Sequence, residues 1–63
     1  MLTINQHKFM IEKYQSVLFL SDNQLVIQTK DKKIEIMGED IYINYYSSSE
    51  IRGMGKIMCV RFI

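Results

Sequence analysis

The stretch Gln24-Leu25-Val26-Ile27-Gln28-Thr29-Lys30-Asp31-Lys32-Lys33-Ile34-Glu35-Ile36-Met37-Gly38 decides the fold. Leu25 and Ile27, then Ile34 and Ile36, mark every second position in two short runs rich in β-branched residues, with a polar link between them. Successive side chains of a strand point to opposite sides, so this alternation describes a half-buried sheet. Helical spacing is hard to find anywhere in the chain. Working outward, the same period marks strands at Lys8 to Glu12, Ser16 to Ser21, Gln24 to Thr29, Lys33 to Met37, Ile41 to Tyr46 and Lys56 to Phe62. Glu50 to Arg52 is a further short candidate, and Leu2 to Ile4 is a frayed first strand within residues 1–7.

Turn residues fill the breaks at Ser21-Asp22-Asn23, Lys30-Asp31-Lys32, Gly38-Glu39-Asp40 and Ser47-Ser48-Ser49. These links are shorter than the dozen or so residues that a parallel crossover needs, so consecutive strands are expected to pair antiparallel. The reading is an all-β chain, a single small domain over 1–63. Its architecture is an antiparallel β-meander of six to seven short strands, forming a curled sheet or a small barrel or roll.

One face of that sheet reads Leu18, Leu20, Leu25, Ile27, Ile34, Ile36, Ile41 and Ile43, the predicted core. Ile57, Val60 and Phe62 of the last strand are its lids, and the odd spacing of Ile57 and Val60 predicts a bulge around Met58-Cys59. The second face carries Val17, Phe19, Val26, Gln28, Lys33, Glu35, Met37, Tyr42, Asn44 and Tyr46. A sheet with an aliphatic face must curl, receive its terminal strands across that face, or stack on another copy. Proline is absent, so neither sheet edge is blocked that way, and edge addition is open as a route to assembly.

At 63 residues and 7.5 kDa, one thin core is all the chain can bury, and a staple or a partner is expected. The lone Cys59 cannot close an intrachain disulfide, and with the lone His7 it cannot complete a four-ligand zinc site, so neither a metal nor a cofactor is expected. Between Met58 and Val60, that cysteine reads as a small core filler of a reducing compartment. A hydrophobic share of 48% with 24% charged residues excludes a disordered chain, and a net charge of +1 implies no preference for polyanions. The N-terminus lacks the basic start and apolar run of a signal peptide. The longest apolar run, Val17-Leu18-Phe19-Leu20, falls far short of the roughly 20 residues that span a bilayer. A cytoplasmic protein without its own membrane span is expected.

Catalytic constellations are missing from the pattern. Glu39 and Asp40 are adjacent in a turn where their side chains diverge, His7 has no neighbouring nucleophile, and Ser47-Ser48-Ser49 reads as a loop. Gly53-Met54-Gly55-Lys56 lacks the spacing and the helix of a phosphate loop, and glycine there suits a turn of positive φ. The chain therefore reads as non-enzymatic. Lys30, Lys32 and Lys33, with Tyr42, Tyr45 and Tyr46 as stacking surfaces, support an alternative reading as a small β-barrel nucleic-acid-binding module. Asp31 and the near-zero net charge weigh against it. Aromatic and methionine side chains are enriched in protein interfaces, so Val26, Met37, Tyr42 and Tyr46 are the candidate interaction residues.

The order of the short motifs adds to this reading. Ile11-Glu12-Lys13-Tyr14-Gln15-Ser16-Val17-Leu18 is followed by Leu25 to Thr29, by Ile34-Glu35-Ile36-Met37-Gly38-Glu39-Asp40-Ile41-Tyr42-Ile43, and by Gly55-Lys56-Ile57-Met58-Cys59-Val60-Arg61-Phe62. In that order and spacing the chain resembles the YabP/YqfC family of small bacterial sporulation proteins, most closely its YqfC-like branch. Gly38 and Gly55 match family glycines, read as relieving strain at strand ends. Lys32 and Gly53 depart from the family pattern, and no catalytic residue belongs to it. The resemblance implies a mother-cell protein of an endospore-forming bacterium that acts in spore envelope morphogenesis by interaction. It also implies a membrane-embedded protein partner, with peripheral attachment at the forespore membrane through that partner. Self-association is expected beside it.

Overall fold

The computed structural model describes residues 2–63. Six strands form, β1 (Leu2–Ile4), β2 (Lys8–Glu12), β3 (Ser16–Leu20), β4 (Gln24–Gln28), β5 (Lys33–Tyr46) and β6 (Glu50–Phe62), and no helix occurs among the described residues. They make one antiparallel sheet in the order β1-β2-β6-β5-β4-β3, which does not close. The all-β antiparallel reading holds, and the curled-sheet alternative is the one observed rather than the barrel.

The meander is interrupted once. β3 to β6 follow one another across the sheet, but β2 pairs with β6 and not with β3. The link after β2 explains the jump. Lys13 adopts φ 62 and turns the chain out of the strand, and its backbone N–H donates to the Ser49 carbonyl at 2.6 Å. The Tyr14 hydroxyl donates to the Ser47 carbonyl at 2.6 Å, and the Gln15 N–H donates to Gln28 at 2.8 Å. Residues 13–15 thus bridge the start of β6 to the end of β4.

Two expected breaks are not turns. Lys33 to Met37 and Ile41 to Tyr46 fuse into β5, and Glu50 to Arg52 and Lys56 to Phe62 fuse into β6. Gly38-Glu39-Asp40 and Gly53 to Lys56 lie inside these long strands, where the register slips instead of the chain reversing. Met58 is an extra residue on β6, as the odd spacing predicts, and β5 carries one extra residue between Glu39 and Tyr42 and another at Asn44. Bulges bend and twist a strand. Here they fold the sheet over, so that one half contains β3, β4, the start of β5 and the end of β6, and the other contains β1, β2, the start of β6 and the end of β5.

Both halves face one core. Leu25, Ile27, Ile34 and Ile36 come from the first half, Phe9, Ile11 and Ile51 from the second, and Ile41 from the bend. Ile57 and Val60 pack against this cluster as lids, while Phe62 stays 58% exposed. Leu25, Ile27, Ile34, Ile36 and Ile41 are core residues as expected; Ile43 is half-buried, and Leu18 and Leu20 are exposed. Leu20 stands opposite the buried Leu25 as expected and is exposed because β3 ends the sheet, whereas the correction at Leu18 has a cause in the register. Val17 pairs with Ile27 and Phe19 with Val26, so Leu18 is the extra residue of a bulge, and the face to which alternation assigns it changes there. Cys59 is also exposed rather than a core filler.

Gly38 and Gly55 sit within strands, at the bend, rather than at strand ends. Gly55 has φ +148, a conformation that side chains rarely adopt, and Asp40 opposite the bend has φ 54. Gly38 serves a different need, close approach of two backbones, because a β-carbon there would lie 1.9 Å from the Lys56 carbonyl oxygen.

Candidate interaction surface

Facing away from the core, each half of the sheet presents its own surface. On the first half, Phe19, Val26, Glu35 and Arg61 form one cross-strand row. Gln24, Met37 and Cys59 form the next. Glu35 is 6% exposed although it points away from the core, because its neighbours cover it. Arg61 Nε donates to its Oε1 at 2.6 Å and Gln24 Nε2 to its Oε2 at 2.5 Å. The charge is thereby neutralised within a surface whose rows also carry Phe19 (51% exposed) and Met37 (39% exposed).

That network makes stability depend on acid. The hydrogen bond from Arg61 holds the Glu35 carboxyl below its ordinary value near 4.5, against an opposing effect of desolvation, with Gln24 adding to the lowering. The folded state therefore binds the proton less readily than the unfolded chain. The stabilisation is complete above the unfolded value and is lost as pH falls through the lower folded one. Urea midpoints are expected to drop on acidification below about pH 4.5, and Glu35→Gln to flatten that drop. An unaltered acid limb in Glu35→Gln would show that another carboxylate governs it.

On the second half the rows are Lys8, Met54 and Tyr42, then Thr3, Met10, Arg52 and Tyr45. The Tyr42 hydroxyl donates to Met54 Sδ at 3.3 Å. Arg52 lies 5.4 Å from the centre of the Tyr45 ring and its Nε donates to a Glu50 carboxylate oxygen, so this cation is engaged on both sides. A cleft of about 520 Å³ adjoins the patch, lined among others by Ile4, Lys8, Phe9, Asn44, Arg52 and Met54.

The four candidate contact residues therefore divide. Val26 and Met37 lie on the outward face of the first half, and Tyr42 on that of the second. Tyr46 pairs with Ile51, a core residue, yet is 74% exposed at the strand's end. The bulge at Asn44 explains this, since it replaces Tyr46 by Tyr45 as the aromatic neighbour that shares a face with Tyr42. Tyr45 and Arg52 are thus surface partners that alternation alone does not group, because no local signal marks the bulge. Phe19 lies on the face that alternation predicts for it, and its place in the Val26 row follows from the register of β3.

Other residues of chemical interest are scattered. Lys30, Lys32 and Lys33 are exposed around the β4–β5 turn, with Lys32 Nζ 5.1 Å from the Phe62 ring centre. His7, Glu39 and Asp40 are exposed beside the bend, His7 on one side of Gly55 and Glu39-Asp40 on the other. Among the described residues no group of three or more His, Cys, Asp or Glu side chains is placed to hold a metal, and no helix is long and apolar enough to cross a membrane. Compared with family models, curated proteins and solved structures, the chain matches none of them.

Proposed function

We propose that this chain is a non-enzymatic sporulation protein that acts in spore envelope morphogenesis, in coat or cortex assembly, through protein–protein contact. The process rests on the resemblance of residues 11–62 to the YabP/YqfC family. The mode of action rests on one observation. Phe19 and Met37 on one outward face, Tyr42 and Tyr45 on the other, and Tyr46 at the end of β5 are 39 to 74% exposed in a 63-residue chain, apolar and aromatic side chains of the kind found at interface cores. A membrane-embedded protein of the same developmental programme is the proposed partner, which would hold the chain at the forespore membrane from the mother-cell side.

A nucleic-acid module is the weaker reading. Its cations are partly committed within the chain, Arg52 to Glu50 and Tyr45, Arg61 to Glu35, and Lys32 to Phe62. Affinity for single strands that falls steeply with salt would restore it.

The test is genetic. In the chain's own host, deleting the gene is expected to cause a large fall in heat-resistant spores. The wild-type gene should restore the count, and Tyr42→Ser with Tyr46→Ser should not, although both residues are exposed and the double variant is expected to fold. Full rescue by the folded double variant would remove the tyrosines from the contact, and normal counts after deletion would count against the morphogenesis reading.

A further inference from the structure

We propose that two copies of the chain pair antiparallel along β3, forming one continuous sheet across a two-fold axis near Leu18. This deepens the assembly reading by naming what occupies one edge. Among the described residues β3 ends the sheet and approaches no strand except β4, so the hydrogen-bonding groups on its other side have no strand partner there. All five of its residues are exposed. Val17 and Leu20 stand opposite Ile27 and Leu25, which are wholly buried, yet are themselves 42% and 48% exposed. The core-facing row runs to the edge of the sheet and stops there uncovered.

Protein edges are ordinarily guarded by charge, proline or a covering element. Ser16 to Leu20 carries neither charge nor proline. Its bulge at Leu18 twists the edge but adds one more apolar side chain to it, 49% exposed. A second copy is the occupant that the flanking charges favour. The first charged residue before β3 is Lys13 and the first after it is Asp22, almost equidistant from Leu18. Lys13 lies beyond the Ser16 end of β3, with its N–H held by the Ser49 carbonyl, and Asp22 lies beyond the Leu20 end. Antiparallel pairing about Leu18 therefore sets the end of each copy that carries a lysine beside the end of the other that carries an aspartate. The uncharged middle places no like charges against each other. The opposite end strand, β1, has only three residues, which makes repeated edge pairing into a filament unfavourable and stops the assembly at two.

Light scattering and sedimentation from low to high micromolar concentration should show a dimer for the wild-type chain. Leu18→Lys and Leu18→Glu, each placing two like charges near the axis, should each be monomeric with an unchanged circular dichroism spectrum, and an equal mixture of the two should dimerise again. Leu18→Cys combined with Cys59→Ser gives a second readout that keeps the strand apolar, a disulfide-linked dimer on mild oxidation. A folded wild-type chain that stays monomeric throughout would overturn the proposal, and so would a dimer that survives Leu18→Lys. Dimerisation lost in Tyr46→Lys but kept in Leu18→Lys would move self-association to the aromatic surface. Since none of these readouts uses spores, failure here is separate from failure of the morphogenesis reading.

Discussion

Gly38→Ala is expected to leave the chain unfolded, or to reduce its stability by about 3 kcal/mol or more, at or beyond the upper end of usual overpacking costs. The added carbon would sit 1.9 Å from the Lys56 carbonyl oxygen and 3.2 Å from Ile57 Cα. Those atoms are backbone, so no side chain can rotate aside. Nor can β5 retreat, because the Gly38 N–H donates to the Asn23 carbonyl at 3.0 Å on the other side. Relief requires opening the β5–β6 ladder at the bend that folds the two halves together. A chain of this size rarely holds more than about 3–5 kcal/mol in total, so the loss would consume most of it. Urea unfolding followed by circular dichroism measures it, and a variant within about 1 kcal/mol of the parent would show that the strands do not approach this closely.

Phe9→Ala carries the second large effect, about 3–5 kcal/mol by the usual cost of removing a buried aromatic ring. Phe9 is 3% exposed and pairs with Gly53, whose missing side chain makes room for the ring. A β-carbon on Gly53 would lie 2.1 Å from Phe9 Cζ and 2.7 Å from the Tyr42 carbonyl oxygen. Gly53→Ala should therefore be severe in the wild-type chain and milder in a Phe9→Ala background, where only the backbone contact remains. A double-mutant cycle measures that difference. Strict additivity would mean that ring and glycine do not share the site.

These two glycines show what was legible in the sequence. The strands were readable wherever apolar residues alternated without interruption, which is why Leu25, Ile27, Ile34 and Ile36 fall in the core as expected. Alternation fails at a bulge, since one extra residue exchanges the faces of what lies beyond it. Leu18 and Asn44 are such residues, and they account for the exposed Leu18 and for Tyr45 sharing a face with Tyr42. Phe9, Ile11 and Ile51 escaped the predicted core for another reason. Their burial depends on β2 pairing with β6, and strand order is decided by long-range pairing that a local period does not encode. Gly38 and Gly53 were visible as breaks in the pattern, but a glycine that ends a strand and one that lets two backbones touch read alike until the partner is known. At the candidate surface, the residue types were legible and their grouping was not.

The pairing of β2 with β6 also sets the timing of folding during synthesis. Phe9 and Ile11 are synthesised well before their partners Gly53 and Ile51. Until then the β3–β4–β5 meander has only half a core to cover Ile27 and Ile36, and the adhesive strand Val17-Leu18-Phe19-Leu20 is already free. Structures dominated by such distant contacts fold in roughly milliseconds to seconds, slowly for so small a chain. The nascent polypeptide thus passes through an interval in which its stickiest segment is displayed before its core can close, and crowded translation of many copies would favour premature association during that interval.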